Sequence, residues 1–410
     1  MLFHKLCLAL GVASVIPSAF AAKEIYNTTS RWIVDSTGAR FKLRCVNWAG
    51  HMEANVPEGL QHRPISYIAS WIANAGFNCV RLTYSIDMAL SPDMSVETSF
   101  ANGGVNSGAG AGSLDALYAQ AVVQNPFLAN ATVLETFGAV INGLDAVGVK
   151  VVLDNHVSRA QWCCDLNDGN GWWDEATSDY PANSQYFITS NWLAGLSAMA
   201  TWAAGYDAVI GMSIRNELRE IPILESESPW YTFAPQGASA IHNANPDLLI
   251  MMGGHYGDTD LSMLRSNPLD RSAWPNKVVW EYHTYSYSVG YDTSWCWLYE
   301  QEMGAAAGFL LEQNEEFTGP LWVSEFGFGM NGADGSLSSG DSDYLSCLIS
   351  YLTGNDADWS WWALQGDYYV RQGTVSYVES YGLLDANWTD WQNPNGASLL
   401  GGMWDVTQGP

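Results

Sequence analysis

The chain has 410 residues, with 16 lysines and arginines against 43 aspartates and glutamates and a formal net charge of −27. Such a balance repels a phosphate backbone and an anionic membrane surface, which excludes nucleic-acid and membrane-surface binding, while a hydrophobic share of 48% belongs to a globular rather than a disordered chain. The 20 tryptophans and 20 tyrosines exceed what a core of this size needs, and a wet cleft lined with aromatic rings would absorb the excess.

The first residues read as an address. His4 and Lys5 are followed by an apolar run from Leu6 to Ile16, the breaker Pro17 and the small-residue pattern Ala19-Phe20-Ala21. This order predicts a secretory signal peptide over 1–21 and an extracellular protein. The run, about eleven residues, is shorter than the roughly twenty that a membrane span needs. Secretion turns Cys45, Cys79, Cys163, Cys164, Cys296 and Cys347 into candidates for disulfides, with the pairing open. Cys296 and Cys347 are expected on adjacent outer helices, whereas the neighbours Cys163 and Cys164 are each expected to pair elsewhere. No CxxC pair occurs, and a zinc site at His156, Cys163 and Cys164 is the weaker reading, so no metal is expected. Asn27, Asn130 and Asn387 open sequons and are candidate glycan acceptors.

Beyond the signal, Trp32-Ile33-Val34, a turn at Asp35–Gly38 and the run from Arg40 suggest a hairpin or a turn into the first strand. Short apolar, β-branched runs then recur at 41–47, 78–83, 150–155, 209–215, 248–253, 277–282, 321–324 and 359–363. They are nearly continuous rather than alternating, as parallel strands covered on both faces require. Helical spacing lies between most of them: Ile65, Ile68, Ala69 and Ile72 after Pro64; Phe137, Val140, Ile141 and Leu144; and further stripes over 192–204, 297–311 and 341–352. Two stretches break the rhythm. Residues 91–130, rich at their centre in Gly, Ala, Asn and Ser, read as a loop insertion over the barrel mouth, and 159–185 carries Trp162, Trp172, Trp173 and Tyr180. The sum is a single-domain (β/α)8 TIM barrel over 22–410 with long loops on its C-terminal face. A doubly wound sheet would want a glycine-rich phosphate loop after the first strand, where Asn47-Trp48-Ala49-Gly50-His51 stands instead.

Chemistry in such a barrel sits at the C-terminal strand ends. In order these carry Asn47-Trp48, Arg81, Asp154-Asn155-His156, Arg215-Asn216-Glu217, His255-Tyr256, His283-Thr284-Tyr285, Glu325 and Trp361-Trp362. Glu217 and Glu325, ending the fourth and seventh runs, are the candidate catalytic pair: glycoside hydrolysis needs one carboxyl held protonated and another ionised. Arg81 could keep a nucleophilic carboxylate charged, Asn216 could bind the hydroxyl beside the reacting carbon, and His156, His283 and Tyr285 could position sugar or carboxylate. Trp48, Trp172, Trp173 and Trp362 are candidate stacking platforms, since a flat indole matches the apolar face of a pyranose.

Together, Gly76-Phe77-Asn78-Cys79-Val80-Arg81, Asp154-Asn155-His156, Arg215-Asn216-Glu217, Tyr282-His283-Thr284-Tyr285, Ser324-Glu325-Phe326-Gly327 and Trp361-Trp362 resemble the ordered motifs of glycoside hydrolase family 5, the cellulase-type family of retaining barrel enzymes. The runs Trp162-Cys163-Cys164 to Gly171 and Ala363 to Tyr369 look similar to a branch shared by plants and fungi. The resemblance implies Glu217 as general acid/base, Glu325 as nucleophile, the residues above as their support, and no cofactor. The expected partner is an oligo- or polysaccharide, bound by a monomeric chain. The alternative is a non-catalytic carbohydrate-binding wall protein on the same barrel; an esterase or protease would want a GxSxG elbow, which the chain lacks.

Overall fold

The computed structural model describes residues 23–176, 181–221, 228–290, 292–332 and 334–410; the segment 1–21, expected to be a signal peptide, and Tyr180 lie outside them. Eight parallel strands close into a barrel: β1 (Arg44–Trp48), β2 (Cys79–Ser85), β3 (Lys150–Val157), β4 (Val209–Ser213), β5 (Leu249–Met252), β6 (Val278–Tyr285), β7 (Leu321–Gly327) and β8 (Asp358–Trp361), with β8 pairing β1. Each falls within a few residues of its predicted run, and the (β/α)8 expectation holds.

Among the described residues, the helices of ten residues or more are α1 (Ile65–Asn74), α2 (Val96–Asn106), α3 (Asp115–Gln124), α4 (Val133–Asp145), α5 (Thr189–Ala203), α6 (Ser228–Ala244), α7 (Cys296–Ala306) and α8 (Ser339–Asn355). In α1, Ile65, Ile68, Ala69 and Ile72 are buried, the i, i+3, i+4, i+7 stripe that turns one face to the sheet. A capping box between Thr132 and Glu135 starts α4. The connection after β5 carries only the one-turn helix Met263–Ser266. No helix among the described residues is long and apolar enough to cross a membrane.

The segment 91–130 is not the loop it was expected to be, since it holds α2 and α3. Its glycines serve close packing: a Cβ on Gly103 would sit 3.0 Å from the Glu53 carbonyl oxygen, so the lack of a side chain lets α2 lie against the β1–α1 connection. Its place beside the mouth is as expected.

Alternation along the strands layers the barrel interior. The floor is apolar, with Cys45, Cys79, Val152, Ile210, Leu249, Met251, Val279 and Trp322 in one buried cluster. A disulfide between Cys45 and Cys79 joins β1 to β2 there. Two residues further up, the same inward faces present Asn47, Arg81, Asp154 and Glu281, and register sets Asn47 beside Arg81 and His283 beside Glu325. Polar groups thus face a common centre because the period is two and the staggered strands close into a barrel.

Candidate active site

Arg81 is the hub of the upper layer. Its Nη1 donates to Glu325 Oε1 at 2.6 Å and to Asn47 Oδ1 at 3.0 Å, while Nη2 donates to Asn216 Oδ1 at 2.9 Å and lies 3.0 Å from Asp154 Oδ1. Its Nε stands 3.5 Å from Glu281 Oε1. Burial alone would lower the guanidinium's pKa, but Asp154, Glu325 and Glu281 outweigh it and raise it. A buried charge so surrounded is fixed in place and in protonation state.

Glu325, on β7, is buried, and its second oxygen accepts from Tyr285 Oη at 2.7 Å. Burial pushes its carboxyl up, and His283, Arg81 and the Tyr285 hydroxyl pull it back. Glu217 follows β4 with φ 44, its backbone N–H donating to Asp258 Oδ2 at 2.7 Å, which holds this left-handed turn. Its side chain is 19% exposed against 4% for Glu325. The Arg219 guanidinium is 4.0 Å away, and desolvation in the cleft, only partly offset by Arg219 and Arg81, raises its carboxyl to about 7. His283 Nδ1 lies 3.1 Å from Glu217 Oε1 and 3.7 Å from Glu325 Oε2; burial lowers the ring's pKa to about 4, leaving it neutral at pH 7. One oxygen of each glutamate and a nitrogen of His283 lie within 4.8 Å of one another. The pair can therefore offer one carboxyl that keeps its proton near neutrality and one carboxylate held by a cation and a phenol.

The cleft around them, about 300 Å³, is lined by His156, Trp162, Cys163, Cys164, Tyr285 and Trp362 together with the two glutamates. His156 Nδ1 is 2.6 Å from Asp154 Oδ2, and its ring stacks on Trp362 at 5.3 Å and 16°. Burial drives the His156 pKa well down, so the ring is a neutral donor or acceptor at the cleft wall. Of the sequence-predicted residues, Arg81, His156, Asn216, Glu217, His283, Tyr285, Glu325 and Trp362 converge here.

Trp48, Trp172 and Trp173 do not, and the prediction of three stacking platforms is corrected: each is fully buried. Asn47 and Trp48 are consecutive, so when Asn47 faces the barrel centre Trp48 must face outward, where its Nε1 donates to the Glu58 carbonyl at 2.9 Å. Trp173 packs among Phe187, Trp192 and Phe233 at ring separations of 5.6, 5.8 and 5.3 Å. Trp173→Ala is accordingly expected to cost about 3–5 kcal/mol of stability in a urea melt. KM for a glycan should stay at the parent value at a temperature where the variant is folded; a large rise in KM would return Trp173 to the substrate.

The expectation that Cys163 and Cys164 pair elsewhere is corrected as well: they pair with each other. Cys296 and Cys347 do lie on adjacent outer helices, α7 and α8, and are joined by a disulfide. The adjacent disulfide forms part of the cleft wall, with Asn216 Nδ2 3.7 and 3.6 Å from its sulfurs and Arg219 Nη1 3.3 Å from Cys163 Sγ. Arg219 also grips both oxygens of Asp168, which fastens this connection to the β4 end. A zinc reading of His156 with these sulfurs fails, because disulfide sulfurs are not thiolates.

Sequence reasoning missed the wall after β8. Strands β9 (Asp367–Arg371) and β10 (Thr374–Val378) form an antiparallel hairpin that brings Arg371, Tyr377, Glu379 and Tyr381 to the cleft. The Arg371 guanidinium lies over the Trp162 ring at 3.3 Å and 3.1 Å from Glu379 Oε2. Two β-rich runs around Gln372-Gly373 were the available hairpin signal.

Two carboxyls facing each other at the ends of β4 and β7 of a (β/α)8 barrel are what hydrolysis of a glycosidic bond requires. The chain belongs to glycosyl hydrolase family 5: the family described as Cellulase (glycosyl hydrolase family 5) matches residues 34–368. A glycosyl hydrolase 5 family protein of Chamaecyparis obtusa is 35% identical over 394 residues, covering 93% of this chain and 66% of the relative, so the chain spans just under two thirds of that protein. An endoglucanase of Paenibacillus polymyxa is 23% identical, with coverage of 94% and 88%. Among solved structures, the endocellulase of Pyrococcus horikoshii superposes with a TM-score of 0.71 at 18% identity, covering 93% of this chain and 99% of that one. A variant of that enzyme in complex with cellotetraose superposes with a TM-score of 0.69 at 17% identity and coverage of 94% and 100%.

Proposed function

We propose that the protein is a secreted β-glucan hydrolase, a signal peptide over 1–21 followed by one catalytic domain, that cleaves within the chain and retains the configuration of the sugar. The observation that carries the reading is the approach of Glu217 to Glu325 within 4.8 Å. Retaining pairs stand about 5–5.5 Å apart, whereas inverting pairs leave roughly 6.5–9.5 Å for a water. In the first step Glu325 attacks the anomeric carbon while Glu217 gives its proton to the departing oxygen. In the second, Glu217 takes a proton from water, the hydroxide adds to the same carbon, and Glu325 leaves as carboxylate. Arg81 and Tyr285 hold the carboxylate before attack and after release. Asn216, its carbonyl engaged by Arg81 and its Nδ2 lying against the Cys163 and Cys164 sulfurs, would turn those weak sulfur contacts over to the sugar hydroxyl next to the reacting carbon. Endoglucanase relatives and the cellotetraose-bound fold neighbour favour a β-glucan. Proton NMR of a fresh β-glucan digest should show the β-anomer of the product first; the α-anomer first would mean inversion and sink the double displacement.

A further inference from the structure

The aromatic surface of the molecule is unevenly placed. Among the described residues, the four large aromatic side chains exposed by half or more are Tyr256 at 50%, Tyr287 at 72%, Trp295 at 58% and Trp297 at 61%. All four lie on the connections that follow β5 and β6. Trp295 and Trp297 flank Cys296 at the start of α7, and the Cys296–Cys347 disulfide ties that point to α8. Their rings are stacked, 20° from parallel with centroids at 6.2 Å, so the two indoles form one exposed aromatic cluster. Exposing two tryptophans side by side is unfavourable unless something covers them.

The rest of the mouth shows which way a bound chain can run. Over β8, β1, β2 and β3 the rim is built up. The Trp162 ring meets Arg371 and lies 5.9 Å from Tyr368, and Phe100 of α2 packs on Tyr369 at 4.7 Å. At the hairpin tip a Cβ on Gly373 would stand 3.3 Å from the Ser107 carbonyl oxygen. The connection after β3, the α2 insertion and the β9–β10 hairpin thus join into one wall. The aromatic trail leads the other way: Tyr285 holds Glu325, Tyr287 stacks on Tyr285 at 5.0 Å and 19°, and the same connection continues to Trp295. Since α7 follows β6, its first turn lies on the catalytic face of the barrel.

We propose that Trp295 and Trp297 form an accessory binding site, outside the cleft, for a neutral β-linked glycan chain that leaves the cleft on the β5–β6 side. Indole faces match the apolar faces of pyranose rings, and a formal charge of −27 disfavours an anionic polymer. The proposal rests on the hydrolase reading above for the identity of the polymer, and the test is arranged to separate the two.

The full chain carrying Glu325→Gln, which need not turn over to bind, is compared with the same chain carrying Trp295→Ala and Trp297→Ala in pull-downs on swollen cellulose and insoluble β-1,3-glucan. The parent should be retained by at least one polymer and the alanine pair should bind about tenfold more weakly. Trp295→Tyr with Trp297→Tyr should recover most of the loss. With Glu325 intact, the alanine pair should hydrolyse a soluble aryl β-glucoside within about twofold of the parent kcat/KM, as distant independent sites do. If the alanine pair does not fold, Trp297→Ala alone carries the same comparison. Equal retention of parent and alanine variant, or no retention of the parent on either polymer, overturns the accessory site. Tryptophan-dependent binding by a chain that fails to hydrolyse any glycan with Glu325 present would break the hydrolase reading and leave the accessory site standing.

Discussion

Glu325→Gln is expected to lower kcat on a β-glucan by at least about 10⁴-fold, because an amide does not attack an anomeric carbon. The fold should survive. The amide oxygen can still accept from Arg81, and the guanidinium retains Asp154 at 3.0 Å and Glu281 at 3.5 Å as charge partners. Replacing a carboxyl whose ionisation burial already opposes removes a desolvation cost along with an ion pair, so the unfolding free energy from a urea melt should change by less than about 2 kcal/mol. An activated 2-deoxy-2-fluoro β-glycoside gives an independent reading. It should leave a covalent sugar on the peptide containing Glu325 in the parent and none in the variant, since its slow second step traps the glycosyl-enzyme. Labelling of another carboxylate, or turnover of the Gln variant near the parent rate, would place the nucleophile elsewhere.

Most of the barrel and the polar centre were legible because one rule, the two-residue period of a strand, governs both. It places Arg81 two residues above Cys79 and Asp154 two above Val152, and although Arg81 pairs with Val152 in register, the stagger of the closed barrel brings it within 3.0 Å of Asp154. The same rule, applied strictly, also settles the tryptophans. Asn47-Trp48 and Trp361-Trp362 are consecutive pairs, and only one member of each can face inward. Trp362 lines the cleft, while Trp361 is buried against Phe326 and Phe328 at 5.2 and 4.6 Å. Trp172 and Trp173 lie on an irregular connection where no period applies, and aromatic content alone does not distinguish a sugar platform from a packing plug. The Cys163–Cys164 bond and the wall made by Arg371 on Trp162 were out of reach for a different reason. Each depends on how a connection folds back in space, which a linear pattern does not encode. The helices inside 91–130 were masked by composition, since glycines that read as loop formers serve there to let a helix pack closely.

Glu217→Ala should show its effect in proportion to how much the leaving group needs a proton. On a natural β-glucan the loss in kcat is expected at about 10²–10⁴-fold, the usual contribution of general acid–base catalysis. On an aryl glycoside whose phenol leaves without protonation, the first step should be nearly intact and the second should become limiting, because no base remains to activate water. Azide, small and already a nucleophile, should then restore turnover and yield the β-glycosyl azide, the configuration that two displacements produce. The pH profile carries the sign. Glu217 must hold its proton for the first step, and burial raises its carboxyl to about 7, so kcat/KM of the parent should fall as pH rises through about 7. Below that value the acid is loaded, and the profile is then limited from the acidic side by the need to ionise Glu325. With His283 neutral from a lowered pKa of about 4, the ring adds no positive charge that would strip the proton from Glu217 at working pH. Glu217→Ala should therefore lose the alkaline limb on the activated substrate while keeping the acidic one. A variant that retained the limb near 7 would assign it to another buried acid, and Glu281, raised to about 7 beside Arg81, is the group that would then have to be tested.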